Sequence, residues 1–176
     1  MKKTFYLLLV LLALSLCMTG CGLAVARPEA KKGEFDFSIT YELNGEEQTF
    51  SAVYVCEFDG TSWTLEGGDY GRDWNSYTVG DYEGDAYSAT IGKTEDGGDI
   101  ILFFGAYPAY FMGDATGDRG APEPSLYISY PENEYGEIRI VNDPGEVEQL
   151  YGAKIIRYEY AEPIENTFKV FGIFEK

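Results

Sequence analysis

Residues 35–58 read FDFSITYELNGEEQTFSAVYVCEF, and the alternation of apolar and polar side chains in this stretch decides the fold. Every second residue from Phe35 to Leu43 is apolar or aromatic, which is the pattern of a strand with one buried face. Asn44-Gly45 then supplies two residues that tolerate the positive φ angles of a type I′ turn. The stretch therefore predicts a tight antiparallel hairpin.

The length of this turn determines which residues of the hairpin face each other. With a two-residue turn, the predicted pairs are Ile39 with Phe50, Phe37 with Ala52, and Phe35 with Tyr54. This register puts the apolar side chains of both strands on one face of the hairpin. A shift by one residue would bring Glu47, Thr49 and Ser51 into the core, so the sequence selects a single register.

The hairpin is expected to continue into a third strand. Asp59-Gly60 has the composition of a second tight turn, after which the chain would run back through Trp63. Residues 67–75 are rich in glycine and acid, which predicts a loop that carries Tyr70 and Trp74. We therefore expect large aromatic side chains on a loop beside the sheet.

The second half of the chain contains further strand patterns. Residues 100–104 form an unbroken β-branched and aromatic run, typical of a central strand covered on both faces. Residues 105–113 are also apolar but contain Pro108, which indicates an edge strand or a packed crossover. Ile138 and Ile140 alternate with polar residues and are predicted to be the inward-facing side chains of a hairpin.

One short helix is expected near residues 144–151. Asp143 before Pro144 is typical of a helix start, and Gly152 stands where a helix commonly ends. The predicted strands number about nine in all and are joined by glycine-rich turns, so the fold class is all-β. We expect one domain over residues 35–176, an antiparallel, meander-rich sandwich or partly open barrel.

The first 21 residues have the features of an export signal. Two lysines precede an unbroken apolar run that ends in small residues before Cys21. The sequence Met18-Thr19-Gly20-Cys21 resembles the lipobox of bacterial lipoproteins. The resemblance implies that residues 1–20 are removed, that the Cys21 thiol carries a diacylglyceryl group and that the new amino terminus is acylated. Residues 21–34 are then a lipidated tether, and the domain is expected outside the cytoplasm on the cell membrane.

Charge and cysteine content restrict the partners of the exported chain. The formal charge is −17, and it becomes −19 without residues 1–20, which hold two lysines and no acid. Such a surface is repelled by phosphate backbones, so nucleic acid is not an expected partner. The expected partners are the bilayer, through the anchor at Cys21, and an envelope protein or a carbohydrate. Cys56 remains in the domain and is interpreted as a small buried apolar side chain.

The absence of histidine excludes several classes of enzyme. Neither a Ser-His-Asp triad nor a Cys-His pair can be built, and the His-Glu-x-x-His zinc site is excluded as well. Catalysis would have to rely on carboxylates, as it does in glycoside hydrolases that use two acids across a cleft. We expect no enzymatic activity, and a carboxylate-based glycoside hydrolase is the alternative.

No cofactor is expected, and a structural calcium ion is the alternative. Calcium prefers carboxylate and carbonyl oxygens, and Asp114 and Asp118 lie in one glycine-bearing loop. Their spacing differs from that of an EF-hand. Aspartate beside glycine is also the ordinary composition of a solvated turn, which leaves both interpretations open.

Aromatic residues make up 16% of the chain and also indicate a function. Tyrosine and tryptophan on a rigid scaffold stack on sugar rings or form protein interfaces at low entropic cost. We predict a ligand-binding face at Tyr70, Trp74 and Tyr82, with cross-strand packing of the tyrosines as the alternative. The expected function is a non-enzymatic module that binds a ligand or a partner. The alternative is a structural or assembly accessory of an envelope complex.

Overall fold

The computed structural model describes residues 26–63, 70–80, 87–115, 120–133 and 137–169. The strands are β1 (Arg27–Pro28), β2 (Lys32–Leu43), β3 (Glu46–Trp63), β4 (Tyr70–Val79), β5 (Ser88–Lys93), β6 (Asp99–Phe103), β7 (Ser125–Ser129), β8 (Ile140–Val141), β9 (Ala153–Tyr160) and β10 (Phe168–Lys169). The helices are α1 (Pro108–Phe111) and α2 (Pro144–Tyr151). Cys21, Tyr82 and Asp118 lie outside the described residues.

The described strands form two four-stranded antiparallel sheets that pack face to face. The first sheet has the order β4-β3-β2-β9 and the second the order β5-β6-β7-β8, while β1 pairs with β10. Side chains from both sheets and from the two helices share one apolar core. Phe37, Ile39 and Tyr54 contribute to it from the first sheet, and Leu102 and Ile128 from the second. The predicted all-β antiparallel fold is confirmed, and the architecture is a sandwich.

The β2–β3 hairpin has the register that its alternation predicted. Asn44 and Gly45 adopt φ angles of 54° and 81°, as a type I′ turn requires. Its pairs include Ile39 with Phe50, Phe37 with Ala52, and Phe35 with Tyr54. The pairing extends over the whole of β2, so this hairpin is the longest continuous ladder of the described chain.

The prediction of a tight turn at Asp59-Gly60 is wrong. β3 continues through this dipeptide to Trp63, and its ladder with β4 shifts register between Phe58 and Gly60. Gly60 has a φ of 127°, and an Asp-Gly step that could close a hairpin is here accommodated as a β-bulge. The loop expected over residues 67–75 is correspondingly replaced by strand from Tyr70 onward.

The apolar run before α1 forms the interior strand β6, which lies between β5 and β7. Ile100 and Leu102 are buried in the core, but Ile101 and Phe103 on the opposite face are only half-buried. β6 is thus a central strand, as predicted, but only its inner face is fully covered and not both faces. The sequence allowed an edge strand or a packed crossover over residues 105–113. The structure shows the packed crossover, because Phe111 of α1 is completely buried.

The β7–β8 hairpin forms, but its inward-facing residues differ from the prediction. Ile138 and Ile140 are 61% and 57% exposed, whereas Val141 is buried. Val141 pairs with Ile128, which lies in the core, and directly opposite residues of a ladder share a face. Pairing with β7 therefore selects Val141 in place of the two isoleucines.

Helix α2 begins and ends where the sequence predicted. The Asp143 side chain accepts a hydrogen bond from the Glu146 backbone nitrogen at 2.9 Å, and Pro144 occupies the first turn. Gly152 ends the helix in the left-handed conformation, with a φ of 59°. Val147 is the buried residue of this helix. Neither described helix has the length and apolar composition needed to cross a bilayer.

The folded domain begins earlier than the predicted start at Phe35. β1 pairs with β10 near the other end of the chain, and Pro28 is buried. Ala30 exchanges two hydrogen bonds with the Asn166 side chain, at 3.0 and 2.9 Å. Residues 26–34, which the sequence assigned to the tether, are therefore part of the domain.

Candidate functional site

Trp74 lies on strand β4 and not on a loop. Its ring is half-buried, packs against the core and makes an edge contact with Phe58, with ring centroids 5.4 Å apart. The indole nitrogen donates a hydrogen bond to the Asp114 carboxylate at 2.9 Å. Tyr70 begins the same strand, whereas Tyr82 is outside the described residues. The predicted binding face at these three residues stays a prediction, and Trp74 has a clear structural role.

Asp114 forms a buried ion pair with Arg72. The guanidinium donates to both carboxylate oxygens, at 2.6 and 2.7 Å, and the two side chains are 9% and 1% exposed. Arg72 also donates to the Ala26 carbonyl oxygen at 3.0 Å and lies 4.2 Å above the Phe168 ring. We call this cluster of Arg72, Asp114, Ala26 and Phe168 the terminal clamp, because it joins the start of the domain to its last strand.

Asp114 of the terminal clamp is also one of the two residues of the predicted calcium site. The charge of Asp114 is already compensated by a guanidinium, and both of its carboxylate oxygens accept hydrogen bonds from nitrogen donors. Within the described ranges, no group of three or more acidic or cysteine side chains is arranged to hold a metal ion. Asp118 is not among the described residues, so the pairing of Asp114 with Asp118 stays a prediction.

The opposite end of the sandwich has a cleft of about 570 Å³ where three turns meet. Its wall includes Asn44 from the β2–β3 turn, Lys93, Glu95 and Asp96 from the β5–β6 turn, and Leu150 and Tyr151 from the end of α2. We call this the end cleft. Its volume lies within the range of roughly 300–1,000 Å³ that is usual for small-ligand sites.

A backbone hydrogen bond joins two of the three turns, and the third turn is closed by hydrogen bonds of its own. The Asn44 nitrogen donates to the Gly152 carbonyl oxygen at 3.0 Å, which fixes the hairpin turn against the end of α2. In the β5–β6 turn, Thr94 and Gly98 are joined by a backbone bond of 2.8 Å, and the Thr94 hydroxyl accepts from the Gly98 nitrogen at 2.7 Å. The end cleft is therefore preformed by turns with internal hydrogen bonds.

A carboxylate and two phenols form a hydrogen-bonded chain at the wall of the end cleft. The Tyr130 hydroxyl donates to Asp96 at 2.8 Å, and the Tyr130 and Tyr151 oxygens are 2.6 Å apart. Hydrogen bonds from Thr94 and Tyr130 hold the pKa of Asp96 below its usual value. The hydrogen bond with Tyr151 and burial raise the pKa of Tyr130. At neutral pH Asp96 is therefore ionised and Tyr130 is neutral.

Asp96 does not have the electrostatics of the general acid in a carboxylate glycosidase. Such an enzyme needs one acid whose pKa is raised, so that it can protonate the leaving group. The pKa of Asp96 is displaced downward instead, through its hydrogen bonds. Tyr130 with a raised pKa is a poor general base at neutral pH.

The first sheet also exposes apolar side chains on its outermost described strand, β4. Tyr77 is 41% and Val79 is 53% exposed, and they pair with Val55 and Val53 of β3. Directly opposite residues share a face, so Tyr77, Val79 and the half-buried Val53 form an apolar patch on the outside of the sandwich, whereas Val55 on the same face is buried. Such a patch is a feature of protein contact surfaces.

Sequence reasoning missed the end cleft because its residues come from separate turns. Asn44-Gly45 and Gly152 were recognised as local conformational signals. None of these signals indicates that the turns are neighbours in space. No family model matches the chain, and no curated protein and no solved structure is similar to it.

Proposed function

We propose that this chain is a lipid-anchored extracytoplasmic protein that binds a ligand in the end cleft without chemically changing it. The observation that carries the proposal is the end cleft itself, a preformed cavity lined by a carboxylate, a phenol and an amide side chain. The lipobox-like sequence before Cys21 supports the anchored location.

The position of the end cleft relative to the anchor supports this function. Ala26, the first described residue, is held in the terminal clamp beside Arg72, whose partner in β3 is Thr61. The end cleft lies beyond the other end of β2 and β3, at Asn44. β2 has 12 residues, and at ~3.3 Å per residue it is roughly 40 Å long. A ligand would thus enter at the end of the domain remote from the membrane.

The tether to the membrane is short in this proposal. Residues 22–25 separate Cys21 from Ala26, and an extended chain covers about 18 Å over that distance. Two or three acyl chains, each contributing ~0.8 kcal/mol per buried methylene, retain a protein firmly at the bilayer. The terminal clamp is then the attachment point of the folded domain.

A role in envelope assembly is the second candidate, and the apolar patch at Tyr77 and Val79 favours it. The two functions are compatible because the patch lies on the face of the first sheet and the cleft at its end. They differ in their tests, since Tyr77→Ser would affect a protein contact and leave the end cleft intact.

The anchor is tested by intact mass and detergent partitioning of the native protein beside a Cys21→Ser variant. We expect a mass increase that matches added acyl chains, and we expect Cys21→Ser to lose both this increase and the partitioning. An unmodified native protein that stays in the aqueous phase contradicts the anchored location.

The cleft is tested by thermal unfolding of the anchored chain in the presence of fractionated envelope digests. A ligand at about 100 times its Kd stabilises by ~2.7 kcal/mol, which raises Tm by several degrees. Glu95→Trp, an exposed substitution on the cleft wall, should abolish the increase. Equal increases in the native protein and in Glu95→Trp would exclude the end cleft as the binding site.

A further inference from the structure

We propose that the end cleft recognises a neutral oligosaccharide whose hydroxyl groups donate hydrogen bonds to acceptors on the cleft wall. This inference rests on the proposed function, because it names the ligand class of the same site.

The hydrogen-bonded chain of Asp96, Tyr130 and Tyr151 sets the direction of every proton in it. Asp96 is ionised and only accepts, so the single hydroxyl proton of Tyr130 is directed at Asp96. The 2.6 Å contact between the two phenols must then be donated by Tyr151. The Tyr151 oxygen consequently has lone pairs for a ligand and no proton to offer it.

The carboxylates of the wall are hydrogen-bond acceptors too. Glu95 and Asp96 are both exposed at the cleft and, as carboxylates, accept hydrogen bonds. A ligand rich in hydrogen-bond donors satisfies these groups, whereas a ligand that only accepts leaves them unpaired. Sugar hydroxyls are donors that can be placed in several directions around one ring.

The end cleft also has apolar surface suited to the C–H face of a sugar ring. Leu150 is 56% exposed on the wall, beside the aromatic ring of the half-buried Tyr151. Tyrosine rings combine an apolar face with a polar oxygen, which is the combination that pyranose rings require. The wall thus matches both surfaces of a carbohydrate.

Charge disfavours an anionic ligand. The carboxylates of the wall and a formal protein charge of −17 repel anions. Lys93 on the same wall is paired with Asp99 at 2.7 Å, and the Arg139 guanidinium lies 4.8 Å above the Tyr130 ring, so these two groups leave the wall acidic. A cationic ligand is therefore the competitor of a neutral saccharide, and the apolar surface at Leu150 and Tyr151 favours the saccharide.

The test uses the lipidated chain in a polyoxyethylene detergent, which carries no sugar of its own. Calorimetric titrations with cellotriose, maltotriose and chitotriose are compared with titrations with trilysine and trigalacturonate. We expect at least one neutral trisaccharide to bind and both charged probes to fail. Tyr151→Phe, which keeps the ring and removes the oxygen, should weaken that binding by about 3- to 10-fold.

Two further variants distinguish a specific effect of the hydrogen-bonded chain on binding from a general loss of folded structure. Asp96→Asn can donate to Tyr130, which would turn the Tyr151 proton toward the cleft, so we expect it to weaken saccharide binding as well. Tyr158→Phe is the matched control, since Tyr158 is 46% exposed on β9 and does not line the end cleft. It should bind like the native protein, and all three variants should unfold cooperatively.

Three outcomes would contradict different parts of the proposal. Saccharide binding that is unchanged in Tyr151→Phe and Asp96→Asn would overturn the assignment of the end cleft. Binding of trilysine in place of the saccharides would overturn the ligand class and leave the proposed function standing. If no probe binds while an envelope fraction still stabilises the native protein and not Glu95→Trp, only the saccharide assignment fails.

Discussion

The buried ion pair of the terminal clamp makes the strongest prediction about stability. Arg72 and Asp114 are 9% and 1% exposed, so removal of one partner leaves a charge that water cannot reach. Breaking such a pair costs about 3–5 kcal/mol. Asp114→Asn should therefore lower the free energy of unfolding by this amount, because the guanidinium loses its counter-charge and the Trp74 indole keeps only a weaker acceptor.

Urea unfolding monitored by tryptophan fluorescence measures this loss. With an m-value of roughly 2 kcal/mol/M, the unfolding midpoint should fall by about 2 M. The exposed pair of Lys93 and Asp99, whose side chains are 72% and 40% accessible, is the matched control. Asp99→Asn should cost at most ~1 kcal/mol, because solvent screens that pair.

A double substitution tests whether the cost comes from the uncompensated charge. Arg72→Met with Asp114→Leu removes both charges, and buried ion pairs replaced in this way are often neutral or more stable. We expect the double variant to be more stable than either single variant. A loss below ~1 kcal/mol in Asp114→Asn, equal to that of the exposed control, would refute the reasoning.

Four further outcomes follow from the described geometry and the proposed anchor. Burial raises the pKa of the Cys56 thiol to about 12, so iodoacetamide at pH 8 should leave Cys56 unmodified in the native protein and label it after unfolding. Burial raises the pKa values of Cys56 and Tyr54 in the folded state above their usual 9.0 and 10.0. Their contribution to stability is therefore complete up to about pH 9 and is lost progressively at higher pH. Urea titrations at pH 8 to 10.5 would detect this loss. Asp143→Ala should cost ~1 kcal/mol by loss of the N-cap, measured by the same unfolding assay. Spin labels at Arg27→Cys and Asn44→Cys should respond differently to a lipid-soluble relaxant in liposomes, strongly at residue 27 and weakly at residue 44.

Sequence reasoning succeeded where a local signal determines the conformation. Alternation and Asn44-Gly45 fixed the register of β2 and β3, because a slip would expose one entire apolar face. Asp143 and Gly152 marked the ends of α2 because capping depends on the nearest backbone groups alone.

It failed where a partner strand decides between local alternatives. Asp59-Gly60 suits both a hairpin turn and a bulge, and the long ladder with β4 selected the bulge. Ile140 and Val141 are both good strand residues, and pairing with the buried Ile128 brought Val141 into the core. Composition gives no information on such pairings.

The residues of the candidate site were harder to predict because they are distant in sequence. Trp74 was predicted to belong to a ligand-binding face, which stays a prediction, and its indole donates a hydrogen bond to Asp114, which lies 40 residues away. Tyr130, Tyr151 and Asp96 come from three separate elements, and each alone has the composition of an ordinary turn or strand end. Only the fold shows that their oxygens form one hydrogen-bonded chain.

The β2–β3 hairpin connects the terminal clamp to the end cleft, and this connection gives the proposed function its geometry. The pairing of β2 with β3 is continuous along β2, so the cleft and Ala26 lie near opposite ends of one ladder. In the proposed anchored state, a formal charge of −19 repels anionic headgroups and favours an upright domain. A large envelope polysaccharide can then approach the end cleft from the side away from the bilayer. A cleft at the clamp end would be obstructed by the membrane, which makes the far end of the hairpin the productive place for recognition.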